Sequence, residues 1–155
     1  MKYEYYADLT IADDFSVFEF DSVGKRGSIK KRIDFVETDL PDVYNLSLVN
    51  VKMNGELDDK TIIDNGDRDK ILATIFRAVY TYTLNYPGRW IYFSGNTHAK
   101  MRLYRMAISL NLEELSFWFE IYGEVANAEE VLPFHKGMVI EGFFIRRNIG
   151  KMDKF

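Results

Sequence analysis

The sequence predicts one α+β domain spanning residues 1–155. Its sheet is antiparallel-rich, begins as a three-stranded meander, and continues helix, strand, helix, strand and a further strand, with two main helices packed on it. Three observations carry this prediction. The early segments alternate apolar and polar side chains with period two, whereas residues 67–86 and 97–110 repeat apolar side chains at helical spacing. The composition, 47% hydrophobic and 15% aromatic with only 10 glycines and 3 prolines, is that of a chain able to build a core. A chain of this length buries roughly 70% of the surface its unfolded form exposes.

In chain order, the tyrosine cluster Tyr3, Tyr5, Tyr6 before Asp13 and Asp14 suits an edge strand or a packed arm. From Ser16 to Ser22, Phe18 and Phe20 alternate with Val17, Glu19 and Asp21, which predicts a half-buried strand. Gly24-Lys25-Arg26-Gly27 is then a turn. Ile29, Lys31, Ile33 and Phe35 alternate with Lys30, Arg32, Asp34 and Val36, so a second strand runs over about Ser28 to Glu37. After the turn at Leu40-Pro41-Asp42, Val43 to Met53 forms a third, with Tyr44, Leu46 and Leu48 on one face.

Polar residues follow from Asn54 to Asp59, and Asp64-Asn65-Gly66-Asp67 holds several candidate caps for a helix. Ile71, Leu72, Ile75, Phe76, Val79 and Tyr82 recur on one stripe of that helix, which Pro87-Gly88 stops. Trp90-Ile91-Tyr92-Phe93 is a short unbroken apolar run, expected in the middle of the sheet. Thr97 is the expected N-cap of a second helix reaching Leu110 or Asn111. Ser116 to Glu124 and Met138 to Arg147 are expected as strands, and residues 150–155 as a frayed tail.

Charge and cysteine usage narrow the chemistry. The formal net charge is −4 and the pI about 5.2, which argues against a surface devoted to nucleic acid. No cysteine is present, so disulfides, thiolate metal sites and cysteine nucleophiles are excluded. Met1 to Asp8 has no apolar core of a signal sequence, and no window approaches the ~18 apolar residues of a membrane span. The expectation is a cytoplasmic protein of bacterial type with no membrane association.

Within this acidic chain, residues 89–110 hold four cations, Arg89, Lys100, Arg102 and Arg105, and no carboxylate. Successive residues of a helix lie about 100° apart, which places His98, Arg102, Arg105 and Ser109 within roughly 60° of one another. Ala99, Leu103, Met106, Ala107 and Leu110 fall on one flank and Met101, Tyr104 and Ile108 on the other, while Lys100 stands apart. A helix apolar over most of its circumference is expected to be largely buried, with Leu103, Tyr104 and Met106 in the core. The basic stripe is then its wet face or the floor of a cleft. The turn Ser94-Gly95-Asn96-Thr97 precedes it and presents backbone amides at the positive end of the helix dipole. Asn96, Thr97, His98, Arg102 and Arg105 are therefore the candidate anion-binding residues.

Other groupings point to bland chemistry. His98 and His135 are the only histidines and lack metal-ligand spacing, so no metal site is expected. The acidic group Glu56, Asp58, Asp59, Asp64, Asp67 and Asp69 lacks a calcium-loop pattern and reads as a solvated loop leading into a helix N-terminus. Gly-x-Ser-x-Gly, a Walker loop and Gly-x-Gly-x-x-Gly are absent. Lys25-Arg26 with Lys30-Lys31-Arg32 reads as an exposed strand face, which would reinforce anion binding if it lay beside residues 98–105.

The segment Gly95-Asn96-Thr97-His98-Ala99-Lys100-Met101-Arg102-Leu103-Tyr104-Arg105-Met106 resembles the signature of a family of short bacterial proteins of unknown function. Its members carry a small-Asn/Ser-Thr turn, Ala, a basic residue and Arg-Leu-Tyr, a pattern that Ala99, Lys100, Arg102, Leu103 and Tyr104 fit. That resemblance runs over nearly the whole chain and implies no activity. A second, looser likeness is to the acetyl-CoA-dependent N-acetyltransferase superfamily. It shares the run of meander, helix, strand, helix and strand, and Asn96, Ala99, Leu103 and Tyr104 match its penultimate helix. Where that superfamily cradles pyrophosphate on a glycine-rich basic loop, this chain reads Ile63-Asp64-Asn65-Gly66-Asp67-Arg68, an acidic stretch that would repel it.

The functional expectation is a non-enzymatic binding or interaction module without a cofactor. Its partner is a protein or an anionic ligand, nucleic acid included, met by the basic stripe, and a homodimer is compatible with it. The alternative is a degenerate acetyltransferase-like enzyme.

Overall fold

The computed structural model describes residues 3–58, 65–95 and 97–150. In chain order they form β1 (Thr10–Ile11), β2 (Val17–Gly24), β3 (Gly27–Glu37), β4 (Val43–Val51), β5 (Leu57–Asp58), α1 (Arg68–Asn85), β6 (Trp90–Phe93), α2 (His98–Leu110), α3 (Leu112–Trp118), β7 (Phe119–Val125), β8 (Glu130–Pro133) and β9 (Ile140–Arg147). This is a mixed α+β arrangement with one large, mostly antiparallel sheet in the order β1-β2-β3-β4-β6-β9-β7-β8, and β5 paired to β4 off that path.

The predicted meander is present as β2, β3 and β4 in antiparallel register. Their even-odd patterning sends Phe18, Phe20, Ile33, Phe35, Leu46 and Leu48 into the core. Both expected forms of the first residues occur. β1 pairs at the edge of β2, and Tyr6 packs as an arm, its ring stacked on Phe20 with centroids 5.2 Å apart. Lys52 to Gly55 turns the chain back so that β5 pairs with the end of β4, where a plain polar loop was expected.

α1 buries Ile71, Leu72, Ile75, Phe76, Val79 and Tyr82 as its stripe predicts, and Tyr86 caps its end just before Pro87. Its aromatic side chains bind both halves of the sheet: Tyr82 stacks on Phe35 of β3 at 4.0 Å and Phe76 meets Phe93 of β6 at 6.5 Å. β6 lies parallel to β4 over only Val43–Asn45 and Trp90–Tyr92, and antiparallel to β9 on its other side. Trp90 and Tyr92 are half-buried while Ile91 and Phe93 are in the core, so β6 is not buried equally on both faces.

Two elements depart from the predicted order. Residues 112–118 are helical, and the strand expected from Ser116 begins only at Phe119. Glu113 and Glu114 favour the positive start of a helix, and one turn suffices to bury Leu115, so local propensity outweighs the alternation of Phe117, Phe119 and Ile121. The polar stretch after Val125 contains β8, which adds to β7 as an edge strand with all four residues exposed. Its two apolar residues, Val131 and Leu132, are adjacent, so no alternation marks it as a strand.

Arg147 is fully buried at the end of β9, with its guanidinium over the Tyr80 ring at 4.3 Å and Phe119 at 5.1 Å. It donates a hydrogen bond to the Tyr80 carbonyl in the C-terminal half of α1. Burial lowers its pKa.

Candidate functional site

The β6–α2 turn is built around Gly95. A side chain there would meet the Met101 amide nitrogen at 2.2 Å and the Lys100 carbonyl carbon at 2.7 Å, so only glycine lets the turn fold against the first turn of the helix. Thr97 is the N-cap as predicted, its hydroxyl accepting the Lys100 N–H at 3.1 Å. That bond satisfies one of the amides offered by the helix start. Thr97 and His98 are exposed, and Asn96 lies outside the described residues.

Along α2 the buried face is narrower than the projection implies. It consists of Lys100, Tyr104, Ala107 and Ile108, and Tyr104 meets Phe93 edge-on at 5.3 Å. Met106 is 40% and Leu110 69% exposed, so that flank is divided: Ala107 lies in the core and Leu103 packs against it, while Met106 and Leu110 are surface. The reverse holds for Lys100, which stands in the middle of the buried arc at 7% exposure.

Arg102, Arg105 and Ser109 line a shallow cleft of about 350 Å³ whose other parts are Met106 and the turn Gly137, Met138 and Val139. Among the described residues no carboxylate lies within ion-pair distance of either guanidinium. His98 stands at the helix start outside this cleft. Arg102 and Arg105 are thus brought together, and the turn 137–139 joins them without any sequence motif to announce it.

The remaining cations of the segment lie elsewhere. Arg89 sits at the opposite end of β6, its guanidinium 3.8 Å from the Tyr86 ring centroid and 4.2 Å from that of Tyr44, with a 2.8 Å hydrogen bond to the Tyr82 hydroxyl. Arg146 stacks over Trp90 and pairs with Glu120 at 3.0 Å. Arg32 is held by Asp34 at 2.8 Å. Contrary to the exposed strand face expected for residues 30–32, Lys31 is 2% exposed and donates to Asn50 Oδ1 at 2.6 Å. Burial pushes its pKa down, Asp67 opposes that, and the charge of Lys100 adds to it. The second basic cluster therefore reaches the 98–105 segment through Lys31 and Lys100, on the inner side of α2. The alternation already aligned Lys31 with Ile33 and Phe35, and that was the signal for its burial.

Near Lys31 the chain supplies its own polar groups. Asp67, the N-cap of α1, accepts hydrogen bonds from the Tyr6 hydroxyl and from Ser22 Oγ, the latter at 2.6 Å. Asn65 plugs the β2–β3 turn, where a side chain on Gly24 would lie 1.7 Å from its carbonyl oxygen. A carboxylate of the chain itself thus stands at the start of α1, although it caps none of the helix amides. Of the loop compared with a pyrophosphate cradle, residues 63 and 64 lie outside the described residues, as do Asp59 and Asp64 of the acidic group. Among the described residues no three His, Asp or Glu side chains converge as a metal site, and no helix is long and apolar enough to cross a membrane.

Comparison with curated proteins and with solved structures found no match. The model of a family of unknown function, DUF6934, matches residues 2–148, in keeping with the resemblance read from the sequence. The chain belongs to that family.

Proposed function

We propose that the protein is a non-enzymatic binding module that receives an anionic partner on the exposed face of α2. One observation supports this reading above the rest: in a chain of net charge −4, Arg102 and Arg105 line a cleft with no carboxylate of the described residues to neutralise them. Thr97 and His98, exposed one turn earlier, extend the same positive face toward the helix start.

Fluorescence anisotropy with labelled anionic probes, a single-stranded oligonucleotide and an acidic peptide, tests it. Arg102→Glu is expected to weaken binding by about tenfold or more, roughly 1.4 kcal/mol, with the melting temperature unchanged. Absence of binding by every probe, or a variant that unfolds, would overturn the reading.

A second reading, acetyl transfer, is favoured by the parallel pair β4 and β6, whose pairing ends at Asn45 and Tyr92, with β6 leading directly into α2. The Asp67 carboxylate at the start of α1 opposes it, since the cofactor's pyrophosphate would meet like charge there. Thermal denaturation with millimolar acetyl-CoA, run on the wild type and on Arg102→Glu, separates the two readings: the binding module predicts no shift or one that Arg102→Glu abolishes, and a rise of several degrees that survives the substitution would restore the enzyme.

A further inference from the structure

We infer that the partner taken by the α2 cleft is a short acidic peptide segment with interspersed apolar side chains, an inference that rests on α2 being the binding face. The cleft has two kinds of wall. Arg102, Arg105 and Ser109 present donors, while Met106, Met138 and Val139 present apolar surface. Val139 is 69% exposed and Met106 40%, and Leu110, one turn beyond Met106, continues the apolar strip at 69%. Lys136 precedes Gly137 in the same turn and is exposed, adding a cation next to the cleft in sequence.

A peptide matches both walls. Arg102 and Arg105 are three residues apart on one helix face, about 5–6 Å between their Cβ atoms, a spacing that carboxylates three or four apart on a bound helix would meet. Apolar side chains on the same peptide would cover Met106, Val139 and Leu110. Two of the lining residues are methionines, whose unbranched side chains repack around differing partners.

Nucleic acid fits less well. Among the described residues no aromatic ring lines the cleft, so bases have nothing there to stack on. A phosphate backbone needs a longer run of cations than this cleft holds. Beyond Leu110 the surface turns acidic at Glu113 and Glu114 of α3, which would repel a long polyanion and leaves room only for a short one.

The test compares three fluorescein-labelled probes on the full chain: an amphipathic peptide with Leu and Glu at helical spacing, an all-Glu peptide of the same length, and an oligouridine. The amphipathic peptide is expected to bind tightest, and to lose about tenfold in affinity with Arg102→Glu and, separately, with Val139→Asp. Because Val139 is largely exposed, Val139→Asp is expected to melt with the wild type. Equal binding of the two peptides, or indifference to Val139→Asp, would overturn the apolar half of the inference. Binding of oligouridine but of neither peptide would overturn the inference while leaving α2 as an anion-binding face, whereas binding of no probe would remove both. A wild-type dimer in sedimentation that Val139→Asp converts to monomer would assign the cleft to a second copy of the chain and overturn the peptide.

Discussion

Asn65→Ala is expected to be among the most damaging single substitutions in the chain, lowering stability by about 2–4 kcal/mol. The Asn65 amide donates to the Gly27 carbonyl at 3.0 Å and to Ser22 Oγ at 3.3 Å, and its oxygen accepts the Arg26 N–H at 2.7 Å. Its backbone carbonyl accepts the Lys25 N–H at 3.0 Å. Truncation keeps the backbone bond but strips the turn of its side-chain partners and opens a polar hole, which water could fill only in part. For a domain of this size the melting temperature should fall by roughly 5–15 °C. Asn65→Asp separates the contributions: it keeps the acceptor for Arg26 but loses both donors, so thermal denaturation should place it between wild type and alanine. An alanine variant melting with the wild type would show that the turn does not depend on this plug.

A second large effect lies at alkaline pH. Burial pushes the pKa of Tyr104 from 10.0 up to about 12, because the phenolate cannot be solvated inside the core. The folded chain therefore holds this proton after the unfolded chain has released it. Stability from the neutral phenol is present in full below pH 10 and is lost as the pH rises through about 12, a total on the order of 3 kcal/mol. Tyr92, raised to about 12 by burial and by its hydrogen bond to Glu124, adds in the same direction. Lys31 acts with the opposite sign, since its lowered pKa makes stability rise with pH up to 10.5. Tyr104→Phe isolates one of these contributions. The Tyr104 hydroxyl has no hydrogen-bond partner among the described residues, so the variant should match the wild type at neutral pH within about 1 kcal/mol. At about pH 11 it should be more stable by about 1.4 kcal/mol. Denaturant unfolding at both pH values measures this, and parallel alkaline curves for the two proteins would refute the burial of the phenol.

Sequence patterning located most of the architecture because burial on this sheet is periodic. The meander, α1 and the cap at Thr97 follow directly from side-chain alternation, helical spacing and cap chemistry. Patterning failed where burial is not what determines structure. β8 exposes every residue, and α3 is too short to show a period. For α2 the projection ordered the side chains correctly around the axis but could not say which arc meets the sheet. Lys100 is inside and Met106 outside because β6 lies under the Tyr104 edge of the helix. The cleft was legible only in half: Arg102 and Arg105 stand on one turn of one helix, while Gly137 to Val139 reach them through tertiary folding from the β8–β9 connection.

The brief parallel contact between β4 and β6 gives the sheet a seam. On one side lie β1 to β5, a set of local hairpins complete by Asp58; on the other lie β6, β9, β7 and β8, drawn from Trp90 to Arg147. Three register positions of backbone pairing are little to make two such halves unfold as one. α1 acts as the splint, with Tyr82 set against β3 and Phe76 against β6. The cooperativity of the molecule therefore runs through one helix, and a ligand or substitution that loosens α1 would let two sheets breathe apart where there was one.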